Sequence, residues 1–167
     1  MHPMSQNHPG KRIADSIVVM SHQMLPEDAN PYGSVHGGVI LKHIDTTGGV
    51  AAMRHARTNV VTASIDRVDF LKPVRVGDLA IFTARLEYAG RTSMDVSVSV
   101  IGEDLITGRT QHCAQAMLTY VALDRDGHPI PVPPLLLETD EERQRSEAAA
   151  ARRKRSAEDK KATRQRG

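Results

Sequence analysis

The period of the apolar residues changes once along this chain, and that change decides what it can fold into. From Val39 to Arg57 the apolar positions Ile40, Leu41, Ile44, Ala51 and Ala52 fall on one face of a 3.6-residue spiral. From Val60 onward the spacing falls to two, in runs that predict strands over Val60–Phe70, Leu79–Tyr88, Ser93–Ile101 and Arg109–Leu123. Gly90, the Gly102–Gly108 stretch and Asp126-Gly127 supply turns between and after them, and Pro129–Pro134 excludes regular structure. A further strand is predicted before the helix, over Ile13–Met24, where Ile17, Val18 and Val19 are β-branched. Pro26–Ser34 is loop chemistry, and Ser34 is a candidate cap for the helix. The order is one strand, one long helix, then four strands expected in meander. That is α+β, with the sheet wrapped around the helix on its concave face.

Three segments result. Residues 1–11 read as a disordered N-terminus, 12–135 as the folded domain, and 136–167 as a charged helical tail without a strong apolar stripe. Aromatic residues are only 3% of the chain and Trp is absent, so the core is built from Val, Ile, Leu, Ala and Met. Small side chains bury little area per residue, and association between copies is a reasonable way to bury more. Cys113 is the single cysteine, read as a small mid-strand core residue in a reducing compartment. No apolar run is long enough for a membrane span and the N-terminus lacks the apolar stretch of a signal peptide, so the cytoplasm is the expected location.

The chemistry-bearing residues cluster at the helix. His36-Gly37-Gly38 stands where loop enters helix, where backbone N–H groups are free and the dipole favours negative charge. This reads either as a tight turn needing glycine or as a cradle for a developing oxyanion. Asp45 borders the apolar face of the helix; it is either an ordinary solvent-facing aspartate or a partly desolvated general base. The adjacent Gly48 and Gly49 each cost a helix roughly 1 kcal/mol relative to Ala, so something packs closely there, a partner subunit or a substrate. Gly48, Gly49 and Ala52 are small and leave room on that part of the helix. Asn30, before Pro31, is a turn residue or a group that orients a water or carbonyl. Arg91-Thr92-Ser93 after Gly90 is a solvated hairpin turn or a phosphate-holding one. Thr62-Ala63-Ser64 leaves strand backbone accessible, and Arg152-Arg153-Lys154-Arg155 is a solvated helix face or a phosphate contact.

Other classes fit less well. His36, His43 and His55 lack ligand spacing, so no metal and no cofactor are expected. There is no Gly-x-Ser-x-Gly elbow, no phosphate-binding glycine loop, no dinucleotide fingerprint, and no basic stripe with aromatics for nucleic acid.

Read together, Asp28-Ala29-Asn30, Val35-His36-Gly37-Gly38-Val39-Ile40-Leu41-Lys42, Asp45, Val61-Thr62-Ala63-Ser64-Ile65-Asp66, Asp69-Phe70, Val76-Gly77-Asp78 and Thr92-Ser93-Met94 resemble the cytosolic acyl-CoA hydrolases of the hotdog fold. These include bacterial thioesterases and vertebrate tandem-domain hydrolases. The resemblance runs from about Ile13 to Val132 and more loosely to Arg155. It implies hydrolysis of acyl-CoA to free acid and CoA, with the acyl chain beside the helix near Gly48, Gly49 and Ala52, by a homo-oligomer of dimers gathered as a trimer (a homohexamer). It implies Asp45 as general base or nucleophile, Asn30 contributed by the opposite subunit, and His36, Gly37 and Gly38 as the carbonyl-holding loop. Thr62, Ala63, Ser64, Arg91, Thr92 and Ser93 match places where relatives hold coenzyme A, and Arg152 and Arg153 match a basic tail site for its phosphates. Tandem relatives divide the active residues between two domains, whereas this chain keeps both Asn30 and Asp45, so a homodimer would form two equivalent sites. A non-catalytic acyl-CoA-binding module is the competing reading. A hydratase or dehydratase is disfavoured because His36 and Asp45 lie nine residues apart on a helix.

Overall fold

The computed structural model describes residues 9–164; most of the N-terminal segment expected to be disordered, residues 1–8, lies outside them. In chain order the elements are β1 (Lys11–Arg12), β2 (Val18–Gln23), α1 (Gly37–Ala56), β3 (Asn59–Phe70), β4 (Leu79–Ala89), β5 (Ser93–Glu103), β6 (Thr110–Leu123), β7 (Leu135–Leu136) and α2 (Asp140–Arg164). Five strands form one antiparallel sheet in the order β2-β4-β5-β6-β3, while β1 and β7 make a separate two-residue parallel pair. Lys11, expected in the disordered terminus, is therefore ordered, and its ammonium donates to the His55 carbonyl at 2.6 Å.

The sheet is not a simple meander. Strands β4, β5 and β6 are consecutive neighbours, but β3 pairs with β6 at one edge and β2 with β4 at the other. Helix α1 crosses the concave face and delivers β3 to the far edge, so residues 71–78 must return across the end of the sheet to reach β4. That connection is pinned as it passes: Val35 N–H donates to the Val74 carbonyl at 2.9 Å, Leu71 N–H to the Cys113 carbonyl at 2.8 Å, and Met24 N–H to the Asp78 carbonyl at 2.9 Å. The first strand is shorter than its apolar pattern predicts. Ile13–Asp15 forms a single 3-10 turn, because the Asp15 carboxylate accepts from the Arg12 backbone N–H at 3.2 Å and its guanidinium at 2.7 Å. Such local side-chain bonds draw the backbone away from a ladder.

Alternation places Phe82, Ala84 and Leu86 of β4, Val96, Val98 and Val100 of β5, and Ala114, Ala116, Leu118 and Tyr120 of β6 on the concave face. Against them α1 packs Ile40, Ile44, Thr47, Gly48, Ala51, Ala52 and His55, all buried. Leu41, counted on that face by its spacing, is only half-buried. Cys113 is buried, as its mid-strand position predicts, and burial pushes its thiol up.

The charged tail is helical and is docked on the sheet. Glu87 and Asp95 lie almost fully buried beneath α2, and each takes a guanidinium from it. Arg145 holds Glu87 with two N–H groups, and Arg153 holds Asp95 at 2.8 and 2.9 Å. Ala149, between them, is fully buried. Among the described residues no helix is long and apolar enough to cross a membrane.

Candidate active site

The start of α1 is capped by His36, not by Ser34. His36 sits in extended backbone (φ −62°, ψ 130°) and its Nδ1 accepts the Gly38 N–H at 3.0 Å. Ser34 is occupied elsewhere: its hydroxyl accepts from the Asn30 side-chain amide at 2.9 Å, and its N–H donates back to Asn30 Oδ1 at 3.3 Å. Asn30 Oδ1 also accepts from Tyr32 N–H at 2.9 Å, so this asparagine closes the loop that leads to the helix. Of the two glycine amides expected to face an oxyanion, Gly38's is thus committed to the cap. The Gly37 N–H meets no acceptor among the described residues. Beside Gly37 opens a cavity of about 330 Å³, lined by residues that include Val35, Ile40, Phe70, Lys72, Val74 and Ala114.

Asp45 lies two turns further along α1, half-buried. Its Oδ1 accepts from the Thr62 hydroxyl at 2.7 Å and from the Tyr120 hydroxyl at 3.1 Å; the same phenol reaches the Asp45 backbone carbonyl at 2.8 Å. Oδ2 has no partner among the described residues. Thr62 and Tyr120 face each other directly in the β3–β6 register, which puts both on the concave face toward Asp45. The next residue, Ala63, is a β-bulge between the Thr62 and Ser64 pairings, the local break that aims Thr62 at the carboxylate. Burial, and then the facing Asp45 carboxylate, push the Tyr120 phenol far above its ordinary value, so it remains a donor. Sequence reading missed Tyr120, which stands 75 residues from Asp45 in the chain. The one available signal was the Gly48-Gly49 gap, and it was assigned to an acyl chain. That space is filled: a Cβ at Gly48 would stand 2.5 Å from the Tyr120 hydroxyl.

The remaining candidates divide between the two faces of the sheet. Thr62 faces Asp45, and Ser64 turns its hydroxyl to Asp66 at 3.1 Å. Arg91 and Thr92 form the β4–β5 turn, where their carbonyls accept from Val132 and Ala122 N–H groups at 2.9 Å each. Ser93 lies on the outer face, where its hydroxyl accepts from Arg153 at 2.8 Å. Arg153 is committed to Asp95 and lies 4.8 Å over the Tyr88 ring. It is therefore a structural guanidinium on the far side of the sheet from Asp45. Arg152 is half-buried and lines an outer groove with Arg67, Arg85 and Arg145.

One chain does not bring its own parts together. Gly37 and Asp45 lie eight residues apart on a straight helix, hence about 12 Å along its axis. A group bound at Gly37 of one copy therefore lies beyond direct reach of that copy's Asp45. The outer edge of β3 is unpaired over its length and exposes Val61 and Ile65, an edge of the kind that pairs with another copy.

Residues 32–108 match the thioesterase superfamily. An uncharacterised acyl-CoA thioester hydrolase of Bacillus subtilis is 40% identical over 126 residues, which cover 75% of this chain and 73% of that protein. The cytosolic acyl coenzyme A thioester hydrolase of rat is 36% identical over 71% of the chain, which spans about a third of that protein. Among solved structures, an acyl-CoA hydrolase from Staphylococcus aureus, in complex with butyryl coenzyme A, coenzyme A and coenzyme A disulfide, superposes with a TM-score of 0.84 at 36% identity, over 94% of this chain and 96% of that one. Variants of that hydrolase in which an asparagine, an aspartate or a threonine becomes alanine have also been solved; the three positions are separated by fifteen and seventeen residues. A hexameric acyl-CoA thioesterase matches with a TM-score of 0.86 at 37% identity, over 90% of this chain and 96% of that one.

Proposed function

Because the chain belongs to the thioesterase superfamily, and within it to the acyl-CoA thioester hydrolases, we propose that it hydrolyses acyl-CoA at sites built between two copies, with Asp45 as the general base. The observation that carries this reading is the state of Asp45, a carboxylate with Oδ1 held by two hydroxyls and Oδ2 open. The spacing of the residues altered in the Staphylococcus hydrolase supports the assignment, since Asn30, Asp45 and Thr62 here stand at the same separations.

In this mechanism Asp45 takes a proton from water, and the hydroxide adds to the thioester carbonyl carbon as the C=O π pair moves onto oxygen. The Gly37 N–H of the other copy, at the positive end of α1, stabilises that oxyanion. Collapse re-forms the C=O bond and breaks the C–S bond. The departing thiolate takes up the proton held by Asp45, leaving a fatty acid and CoA. The acyl chain lies in the cavity beside Gly37, where Val35, Ile40, Phe70 and Val74 supply apolar surface, and not along Gly48, which packs on Tyr120, or the fully buried Ala52. Asn30 and His36 shape the loop that presents Gly37. Of the arginines expected to meet the coenzyme's phosphates, Arg153 is committed to Asp95, which leaves Arg91, exposed, and Arg152, half-buried, for that role. We place the enzyme in the cytoplasm as a trimer of dimers, with the β3 edges joined in each dimer.

Thiol release from a panel of acyl-CoAs, acetyl to palmitoyl, tests the reading on wild type and Asp45→Ala. Turnover that collapses in the variant is expected. Turnover that survives it removes Asp45, and binding without turnover in the wild type turns the protein into an acyl-CoA-binding module.

A further inference from the structure

We infer that Tyr120 is a positioning residue for the reaction: with Thr62 it holds the Oδ1 side of the Asp45 carboxylate, which leaves Oδ2 as the oxygen facing away from protein donors and open to take the proton from water. The inference rests on the reading of Asp45 as the base. A carboxylate oxygen offers two lone pairs, and those of Oδ1 meet the Thr62 hydroxyl at 2.7 Å and the Tyr120 hydroxyl at 3.1 Å. Thr62 comes from an exposed edge strand and Tyr120 from the core, where it is 1% exposed, so the carboxylate is gripped from both sides. The phenol carries one hydrogen for two acceptors, since the Asp45 backbone carbonyl lies 2.8 Å away. It therefore ties the carboxylate to the backbone of its own helix turn, fixing the side-chain torsion that aims Oδ2. The fold makes room for this at a measurable cost in helix propensity, because only a glycine at position 48 admits the ring.

A purely structural tyrosine would fill the same space without touching the carboxylate, so the test must read the carboxylate. In Tyr120→Phe the ring and its packing remain while the hydroxyl is lost. The expected result is a kcat lower by about tenfold with a KM within about twofold of wild type, since a donor that orients the carboxylate is gone. Incorporation of 3-fluorotyrosine at position 120 keeps both the fold and the hydroxyl, and should keep kcat within about threefold of wild type. Wild-type kcat in Tyr120→Phe, or a loss in the fluorotyrosine protein as large as in Tyr120→Phe, would overturn the inference while leaving Asp45 as base. Asp45→Ala, run beside them, separates the two claims: full activity there defeats the mechanism itself, whatever Tyr120 does.

Discussion

The Tyr120 hydroxyl stands 2.5 Å from the point that a Cβ on Gly48 would occupy, and two further ring atoms lie at 3.2 Å. Gly48→Ala sets two effects against each other. Alanine favours the helix by about 1 kcal/mol, while overpacking a core costs about 1–3 kcal/mol. The ring is buried and hydrogen-bonded at its far end, so it has nowhere to go and the clash wins. A net loss of about 1 kcal/mol is expected from urea unfolding, with activity falling because Asp45 loses its phenol. Combining it with Tyr120→Phe removes the atom in closest contact, so the double variant should be more stable than the two losses added together.

The Gly37 amide offers an unusually clean deletion. Gly37 is the first helical residue, where proline is favoured because its missing N–H has no intrahelical partner. His36 already has the extended conformation that a following proline requires. Gly37→Pro should therefore fold normally and lose only the N–H aimed at the oxyanion. A fall in kcat of about a hundredfold to a thousandfold is expected from steady-state kinetics; unchanged kcat would leave the oxyanion without this donor.

Arg91 and Arg153 separate binding from structure. Arg153→Ala leaves the almost fully buried Asp95 without its bidentate partner. A loss of about 3 kcal/mol is expected, toward the low end for breaking a buried pair because the guanidinium itself is partly exposed. Arg91→Ala should leave the melting temperature in place and raise the KM for acyl-CoA. The opposite pattern would return Arg153 to the coenzyme.

The change of hydrophobic period made the helix and the four later strands readable to within two residues, because α1, β4, β5 and β6 each turn one apolar face to the core and even the more exposed β3 keeps the two-residue alternation of a strand. The pairing of β3 with β6 was not readable, since nothing local to Val60–Phe70 says which strand will lie beside it. At the site, Asp45, Asn30 and the His36–Gly38 loop stand out locally, as carboxylate, turn and helix start. Tyr120 does not: in its own strand it is one more inward-facing apolar residue, and only the sheet register brings it to the helix. The helical tail was legible from its composition, but its docking was not. Its partners Glu87 and Asp95 look like outward-facing strand charges until α2 lies over them.

Two histidines make stability depend on acidity. His55 is fully buried, and its Nε2–H donates to the Pro133 carbonyl at 2.7 Å, which anchors the end of α1 to the segment before β7. The other nitrogen, Nδ1, has no partner among the described residues, so a second proton would be buried without an acceptor. Burial thus holds the His55 imidazole below its ordinary value. Burial, and then the stacked ring of His22 at 4.1 Å, do the same for His43. Both groups bind protons more weakly in the folded chain than in the unfolded one. Stability is therefore complete above the ordinary imidazole value of 6.5 and is lost progressively as pH falls below it. The urea midpoint should drop between about pH 7.5 and about pH 5.5. His55→Gln keeps a donor for the Pro133 carbonyl but cannot titrate, and should flatten part of that slope. An equally steep slope in the variant would assign the acid sensitivity to other groups.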